Sequence, residues 1–546
     1  MIGRRPGRFA LGLLAATVCL VLSACGHKTH GHGGIGPRAA NETRQNILVI
    51  EVDHLGLQLG AYGDAAADTP NIDRLAREGV RFDAAYGASG GADAETAALL
   101  TGMQPSTIGM VQEWTGAGAW SVVPPPEVKG YPEFVRAAGY LTFHVGARPD
   151  PFGSPQSLWT VDGPSPGATW PDAVIAQPFL GVIDLSTLTA SQRGEKPKGF
   201  FAKHDDDEKY AKGVSVPAYL PDTPAVRTAL QAEYARVHRL DTAVGEILER
   251  LRAAHALDHT IVVFTAKSGP VRPRAERTVY DAGVHVPLIV RWPDGRGRGM
   301  VRHDLVSGID LAPAILRMTG VAPRAWMQGQ DHLTGQGTPN TYVFTVQNRI
   351  DDVYERVFAV RDGRYLYVLN LAPYTPILSL ARGGPITDAV AAVRKAGKLT
   401  RAQAAAYADD RGEAELYDVE ADPDALNNLV EDDAHAGDVA RLAQVLNAFA
   451  AEAPDYSTWT ARDLGDLFKP GGVTPVTAQP QASVHGFSAE LTSLTPGASI
   501  LWRRDANAPW SLYTGPIQLH GPTRLEATAV RYGFLESPIA ELNLAP

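Results

Sequence analysis

An apolar run near the start of the chain, NILVIEVDHLG at 46–56, limits the folds that the remaining residues can adopt. Short runs rich in β-branched residues are typical of strands that are buried on both faces of a parallel sheet. This run ends at Asp53, and ligands of open α/β sheets bind at the edge where such strands end. The sequence therefore predicts an α/β fold with a candidate site beside Asp53.

The two segments after this strand predict helices. In TPNIDRLAREGVRF (69–82), Thr69 suits the N-cap, Pro70 the first turn and Gly79 the stop. In YGASGGADAETAALLTG (86–102), a glycine-rich turn leads into a helix from about Asp93. Such a turn is a ready anion site, because unpaired N–H groups and the helix dipole point at the ligand.

These segments resemble the sulfatases of the alkaline phosphatase superfamily. The structural residues of the family pattern match closely, whereas the residues at its reactive positions differ. The family has a cysteine or serine that becomes formylglycine, and counting back from LLTG at 99–102 places Ala92 there. The same count places Thr96 at the family's arginine. His54 stands where the family has the second aspartate of a metal-binding pair, after Asp53.

Later segments show the same pattern of a matching framework with replaced reactive groups. YPEFVRAAGYLTFHVG (131–146) and YDAGVHVPLIVRWP (280–293) fit the family, and so does the strand TIVVFTAKSGP (260–270). With a one-residue ambiguity at Arg148, further family positions of lysine, histidine and metal-binding residues fall at Ala147, Thr189, Lys267, Ser268 and Glu276.

The resemblance spans about 46–455 and implies a sulfatase/alkaline-phosphatase-like sheet sandwiched by helices. Active relatives use calcium on oxygen ligands together with formylglycine, whereas here we predict no catalytic residue and no metal or cofactor. We predict that Lys267 pairs with Asp53 in place of the cation; the alternative is a lysine that extends outward to solvent. Asp93 as N-cap and Glu95 in the first turn would fill the anion site with the protein's own negative charge.

A competing interpretation is an active sulfuric ester hydrolase, or a related phosphate or phosphonate hydrolase, with a rearranged site. Ser89 or Thr96 would then be the nucleophile, with zinc on Asp53, His54 and His144.

The first residues have the pattern of a secretion signal. MIGRR is basic, residues 9–22 are apolar, and LSAC at 22–25 resembles a bacterial lipobox. This predicts a signal peptide at 1–24, a lipidated Cys25, a flexible tether at 25–45, and a periplasmic or cell-surface protein secreted across the inner membrane. The alternative is an ordinary cleaved signal peptide. In the lipoprotein case the mature chain keeps one cysteine, so it has no internal disulfide.

The C-terminal part has a different composition. We predict a linker at 456–480 and an all-β sandwich at 481–546, in which Leu525, Ala527 and Ala529 share one face. This part resembles the small β-sandwich of chitobiases and some sulfatases. Its larger aromatic residues would form either a sugar-stacking platform or the core: Trp502, Trp510, Tyr513 and Tyr532.

The charge of the chain bears on its partners. The formal net charge is −10, and it becomes −13 when the signal peptide with its three arginines is removed. This argues against nucleic acid as a partner. We therefore predict a lipid-anchored, catalytically inactive pseudo-sulfatase that binds or scaffolds a glycan or another envelope component.

Overall fold

The structure is a computed structural model, and it describes residues 44–110, 112–113, 120–146, 151–153, 155–163, 178–186, 213–350, 353–451 and 456–546. Cys25, Ala147, Thr189, the signal peptide and nearly all of the tether lie outside these ranges. Among the described helices, none has the length and apolar character needed to cross a membrane.

The described strands are, in chain order, β1 Asn46–Val52, β2 Val80–Phe82, β3 Ala85–Tyr86, β4 Gln112–Glu113, β5 Leu141–Val145, β6 Val161–Gly163, β7 Phe179–Asp184, β8 Thr260–Ala266, β9 Leu288–Arg291, β10 Met300–Arg302, β11 Val306–Ser307, β12 Val343–Ile350, β13 Val353–Arg361, β14 Tyr365–Asn370, β15 Ala414–Asp418, β16 Gln481–His485, β17 Ser488–Thr492, β18 Ser499–Arg503, β19 Ser511–Leu512, β20 Ile517–Gln518, β21 Thr523–Val530 and β22 Ala540–Leu544. The described α-helices are α1 Pro70–Glu78, α2 Ala92–Thr101, α3 Tyr131–Ala137, α4 Pro224–Ala253, α5 Asp281–Val284, α6 Leu311–Met318, α7 Ile377–Leu380, α8 Pro385–Lys395, α9 Arg401–Ala406, α10 Ala436–Ala451 and α11 Ala461–Phe468.

The core of the protein is an eight-stranded sheet in the order β10-β2-β9-β8-β1-β7-β5-β6. The strands from β8 to β6 are parallel, and β9 runs antiparallel to both of its neighbours. β1 lies between β7 and β8, with Ile50 opposite Ile183 and Phe264. Residues Ile47–Ile50 are completely buried, which confirms the predicted buried parallel strand.

Helices pack on this sheet and on one another in two groups, α1 with α4, and α2 and α3 with α6. Thr223 caps α4 by accepting a hydrogen bond from the Val226 amide. Thr69 stands at the N-cap of α1 and Pro70 opens that helix, as predicted, but the Thr69 side chain makes no capping hydrogen bond. A second sheet has the order β15-β14-β13-β12-β4. The alanine-rich segment before β15 forms helices whose Ile386 and Val390 are buried in one cluster with residues of α4.

The C-terminal strands form two facing antiparallel sheets, β16-β17-β20 and β19-β18-β21-β22. Leu525, Ala527 and Ala529 of β21 are completely buried and pack with Leu491 and Ile517 of the other sheet. The alternation along β21 therefore points inward as the sequence predicts. The predicted fold class, an α/β sheet with helices and a small all-β sandwich, is confirmed.

The sandwich is fixed to the α/β part through Glu133 of α3. The Tyr532 hydroxyl donates to Glu133 Oε2 at 3.0 Å, Lys129 Nζ donates to Oε1 at 2.8 Å, and the Ser499 hydroxyl donates to the same oxygen. The Tyr532 ring is 1% exposed and stacks on Phe152 at 5.3 Å. Tyr532 is therefore a buried contact of the two parts, which supports the core alternative over the sugar-stacking platform for this residue.

The segment predicted as a linker, 456–480, contains α11. Phe468 at the end of this helix is buried in the core of the α/β part, against the turn at Gly109. The passage into the sandwich therefore runs along the surface of the α/β part.

Candidate functional site

Three neighbouring strands of the main sheet end at the same edge. Asp53 directly follows β1, Asp184 is the last residue of β7, and Lys267 directly follows β8. The Lys267 amide still donates to the Val52 carbonyl at 2.8 Å, so the pairing of β1 and β8 continues to this point. The three side chains consequently meet at the carboxyl edge of the sheet, all of them buried.

The ammonium of Lys267 lies between carboxyl groups. Its Nζ is 2.8 Å from Asp184 Oδ2, 3.4 Å from Glu51 Oε1 and 3.7 Å from Asp53 Oδ1. The side chain is 1% exposed, so the alternative of a lysine that extends to solvent is wrong. Asp53 and Lys267 converge as the sequence predicts, but the shortest contact is to Asp184, which the sequence analysis missed.

The pKa values of the two carboxyl groups nearest to Lys267 shift in opposite directions. Burial raises the pKa of Glu51, and the charge of Lys267 opposes this rise only in part. Burial also opposes ionisation of Asp184, but the charge and hydrogen bond of Lys267 and the hydrogen bonds from Ser186 outweigh it and lower the pKa of Asp184 to about 2. The charge of Lys267 thus stabilises the ionised form of Asp184, whereas burial disfavours the ionised form of Glu51.

Calcium does not fit these residues. It takes six to eight oxygen ligands at 2.3–2.6 Å, whereas here an ammonium fills the point at which the carboxyl groups converge. Within the part of the chain that the structure describes, no group of three or more His, Cys, Asp or Glu side chains is arranged to hold a metal.

His54 does not join Asp53 as a ligand. It adopts a left-handed backbone conformation with a φ of 62°. Its Nδ1 lies 3.4 Å from Glu276 Oε1, and its amide donates to the Ser268 hydroxyl at 3.2 Å. Glu276 also accepts from Arg382 Nε at 2.9 Å. The family position of a lysine therefore carries a buried acid in a histidine–glutamate–arginine chain.

His144, the third residue of the alternative zinc set, packs against an aromatic ring. Its ring stacks on that of Trp159, with the centroids 5.5 Å apart. Among the described residues, Asp53, His54 and His144 do not form a group arranged to hold zinc.

The turn before α2 places the family's reactive position at a methyl group. Ala92 is the first residue of α2, and Gly91 is the N-cap, so the prediction of Asp93 as N-cap is wrong. Thr96 donates its hydroxyl to the Ala92 carbonyl at 2.7 Å, and the Ser89 hydroxyl accepts from the Gly91 amide at 3.1 Å. Among the described side chains, neither hydroxyl is hydrogen-bonded to a histidine or a carboxylate that would act as its base.

Glu95 occupies the amides of this turn. Its side chain is 1% exposed, and its Oε2 accepts from the Ser89 amide at 3.0 Å. It packs so closely on Gly308 that a Cβ at that glycine would lie 1.8 Å from Glu95 Oε1. Burial raises the pKa of Glu95 to about 8 against the opposing effect of the turn amides. Glu95 thus accepts a hydrogen bond from an amide of this turn as predicted, but its raised pKa opposes the negative charge that the prediction assigned to it.

The comparisons with known proteins agree with this framework. A family model described as Sulfatase matches residues 45–163 and 186–321. The Ulvan-active sulfatase of Formosa agariphila is 27% identical over 97% of this chain and 97% of its own length. This chain belongs to the sulfatase family.

Solved structures share the sulfatase fold. A putative sulfatase from Bacteroides thetaiotaomicron superposes with a TM-score of 0.53 at 20% identity, over 76% of this chain and 93% of its own. A structure in complex with its substrate D-glucosamine-2-N,6-O-disulfate gives a TM-score of 0.53 at 15% identity, over 77% and 100% of the two chains. These likenesses show that the main sheet of this chain belongs to a sulfatase fold.

Proposed function

We propose that this sulfatase-family protein is a non-catalytic binding protein whose former active site is held together by Lys267 in place of a cation. The observation that carries the proposal is the buried ammonium within 3.7 Å of three carboxyl groups. Positive charge at this edge comes from the chain itself, so the fold does not depend on a metal.

The chemistry of the remaining positions supports the same proposal. Ala92 presents a methyl group where the family has its nucleophile, and Glu276 presents an acid where the family has a lysine. Losing a single oxyanion donor typically costs a factor of about 100–1,000 in rate. Here the nucleophile and the surrounding cationic groups are replaced together.

A glycan is the partner that the relatives favour. The relative that matches nearly the whole chain is named an Ulvan-active sulfatase, and one structural neighbour is complexed with a disulfated glucosamine. The acidic net charge continues to argue against nucleic acid. We place the protein on the bacterial envelope, periplasmic or at the cell surface, anchored through a lipid on Cys25.

The second candidate is an active sulfuric ester hydrolase, which the names of the relatives favour. A turnover panel of aryl sulfates, phosphates and phosphonates, with and without added calcium or zinc, separates the two. We expect no hydrolysis above that of a matched Asp53→Asn variant. Hydrolysis by the wild type that is lost in Asp53→Asn would refute the non-catalytic proposal.

A further inference from the structure

A cleft of about 710 Å³ lies at the junction of the α/β part and the C-terminal sandwich. One wall is formed by Phe134 of α3 and by Arg324 and Trp326, which follow α6. The opposite wall is formed by β17–β19 and by Tyr513. Its volume is within the range of small-molecule sites, roughly 300–1,000 Å³. None of the former active-site positions that the structure describes lines it.

The floor of the cleft is rigid. Glu133 and Ser499 are both lining residues, and they are joined to each other and to Lys129 by hydrogen bonds. Burial opposes ionisation of Glu133, but the charge of Lys129 and the hydrogen bonds that it receives outweigh it and lower its pKa. The two walls are therefore held in a fixed relation before any ligand arrives, which reduces the entropy cost of binding.

The walls present aromatic rings and a cation. Trp326 and Tyr513 are half-buried, so each ring keeps part of its surface in the cleft. The Tyr513 hydroxyl is held by the Leu491 amide at 3.1 Å. The Arg324 guanidinium is exposed and lies 4.1 Å from the centre of the Phe134 ring. Among the described residues no carboxylate lies within ion-pair distance of Arg324, whereas Lys129 is already committed to Glu133.

Polar groups complete the cleft. The hydroxyls of Thr492, Ser493 and Thr514 line the side formed by the sandwich, and the carboxylate of Glu127 lies at the rim. Flat rings with nearby hydroxyls suit a sugar, which has an apolar ring face and a polar circumference. A fixed guanidinium with open donors suits a sulfate or carboxylate substituent, because it donates paired hydrogen bonds to such groups.

We propose that this junction cleft binds an acidic oligosaccharide, with a sugar ring on Trp326 and its anionic substituent on Arg324. The proposal deepens the proposed function, on which it rests, by giving the binding role a site apart from the former active site. The rings of Trp326 and Tyr513 select for a carbohydrate, and Arg324 selects for its charge.

Isothermal titration calorimetry of the full mature chain with heparan sulfate and chondroitin sulfate tetrasaccharides tests this. Each sulfated probe is paired with its desulfated counterpart. We expect one sulfated probe to bind, its desulfated counterpart to bind about tenfold more weakly, and Arg324→Ala to remove that difference. The matched control is Arg298→Ala, an exposed arginine elsewhere on the α/β part, which should bind like the wild type.

Trp326→Ala should weaken the binding of both the sulfated and the desulfated probe. Melting curves show whether each variant is folded. If Trp326→Ala does not fold, the test rests on whether Arg324→Ala loses the preference for the sulfated probe. If Arg324→Ala binds the sulfated probe as the wild type does, the proposal that the cleft is the binding site is overturned. A glycan-binding function would then lie elsewhere on the protein. Failure of the wild type to bind any sulfated probe overturns both the cleft and the glycan part of the proposed function, whereas the non-catalytic part depends on the turnover panel.

Discussion

Lys267→Ala removes the ammonium that the carboxyl groups of Glu51, Asp53 and Asp184 surround. The wild-type Nζ lies 2.8–3.7 Å from an oxygen of each carboxyl group, with the lysine 1% exposed. Alanine therefore leaves three acids and a cavity at the end of the sheet. Removing one partner of a buried ion pair typically costs about 3–5 kcal/mol.

This cost converts into a melting shift. The entropy of unfolding is about 2.1 cal/mol/K per residue, so the roughly 500 residues of the folded unit give about 1 kcal/mol/K. Lys267→Ala should therefore melt about 3–5 °C below the wild type at pH 7. Lys398→Ala, an exposed lysine, is the matched control and should melt with the wild type.

The shift should depend on pH in a definite direction. Because the pKa of Asp184 falls from 3.8 to about 2 on folding, the stability from its ionised form is fully present above about pH 4. It is lost as the pH falls from about 4 to 2. The gap between Lys267→Ala and the wild type should therefore narrow over that interval, which thermal scans at several pH values measure.

Metal dependence gives the sharpest refutation. The wild-type melting temperature should not respond to EDTA or calcium, whereas Lys267→Asp should be stabilised by calcium because carboxyl groups then converge without an ammonium. A wild-type melting temperature that falls with EDTA and recovers with calcium would refute the reasoning. So would a Lys267→Ala variant that melts within about 1 °C of the wild type.

Three further predictions concern other parts of the chain. The pKa of Glu95 rises from 4.5 to about 8 on folding, so the stability of the wild type should decline as the pH rises through this interval. Glu95→Gln has no proton to lose at this position, so its melting temperature should decline less between about pH 5 and pH 9. Melting temperatures of wild type and variant that fall in parallel would count against the prediction. Tyr532→Phe removes the hydroxyl that donates to Glu133 and should lower the unfolding free energy in urea by about 1–3 kcal/mol, whereas the exposed Tyr374→Phe should not. Cys25→Ser should abolish incorporation of labelled fatty acid in the host and leave the melting temperature unchanged, and a wild type that takes up no label contradicts the lipobox.

The convergence of Asp53 and Lys267 was predictable because both residues end adjacent strands of one parallel sheet. Glu51 lies two residues before Asp53, so both side chains point to the same face of β1. That acid within an otherwise apolar strand was a signal that the sequence analysis did not use. Asp184 carried the same signal at the end of FLGVID. An acid in a buried strand requires a partner, and here the partner is the lysine.

Other features depend on contacts that no local pattern contains. Glu133 meets Ser499 and Tyr532 across 366 and 399 residues of sequence, far beyond the range of helix or strand periodicity. Residue preferences favour Asp93 as the N-cap of α2, but Gly91 is the N-cap, so the helix begins two residues earlier than that assignment predicts. The Glu95 side chain points back onto the Ser89 amide. This direction follows from the packing of α2 against Gly308 rather than from the position of Glu95 in the first turn of the helix.

The junction at Glu133 has a consequence for how the protein is made. A ribosome delivers α3 long before β18 and the residues that follow β21, so Glu133 gains Ser499 and Tyr532 only after 366 and 399 further residues have been made. A premature stop just ahead of Ser499 would leave this carboxylate without two of these three hydrogen-bond donors at the boundary of the α/β part. The sandwich strands thus complete a buried contact of the α/β part, and a stop codon ahead of Ser499 should destabilise the part of the protein that precedes it.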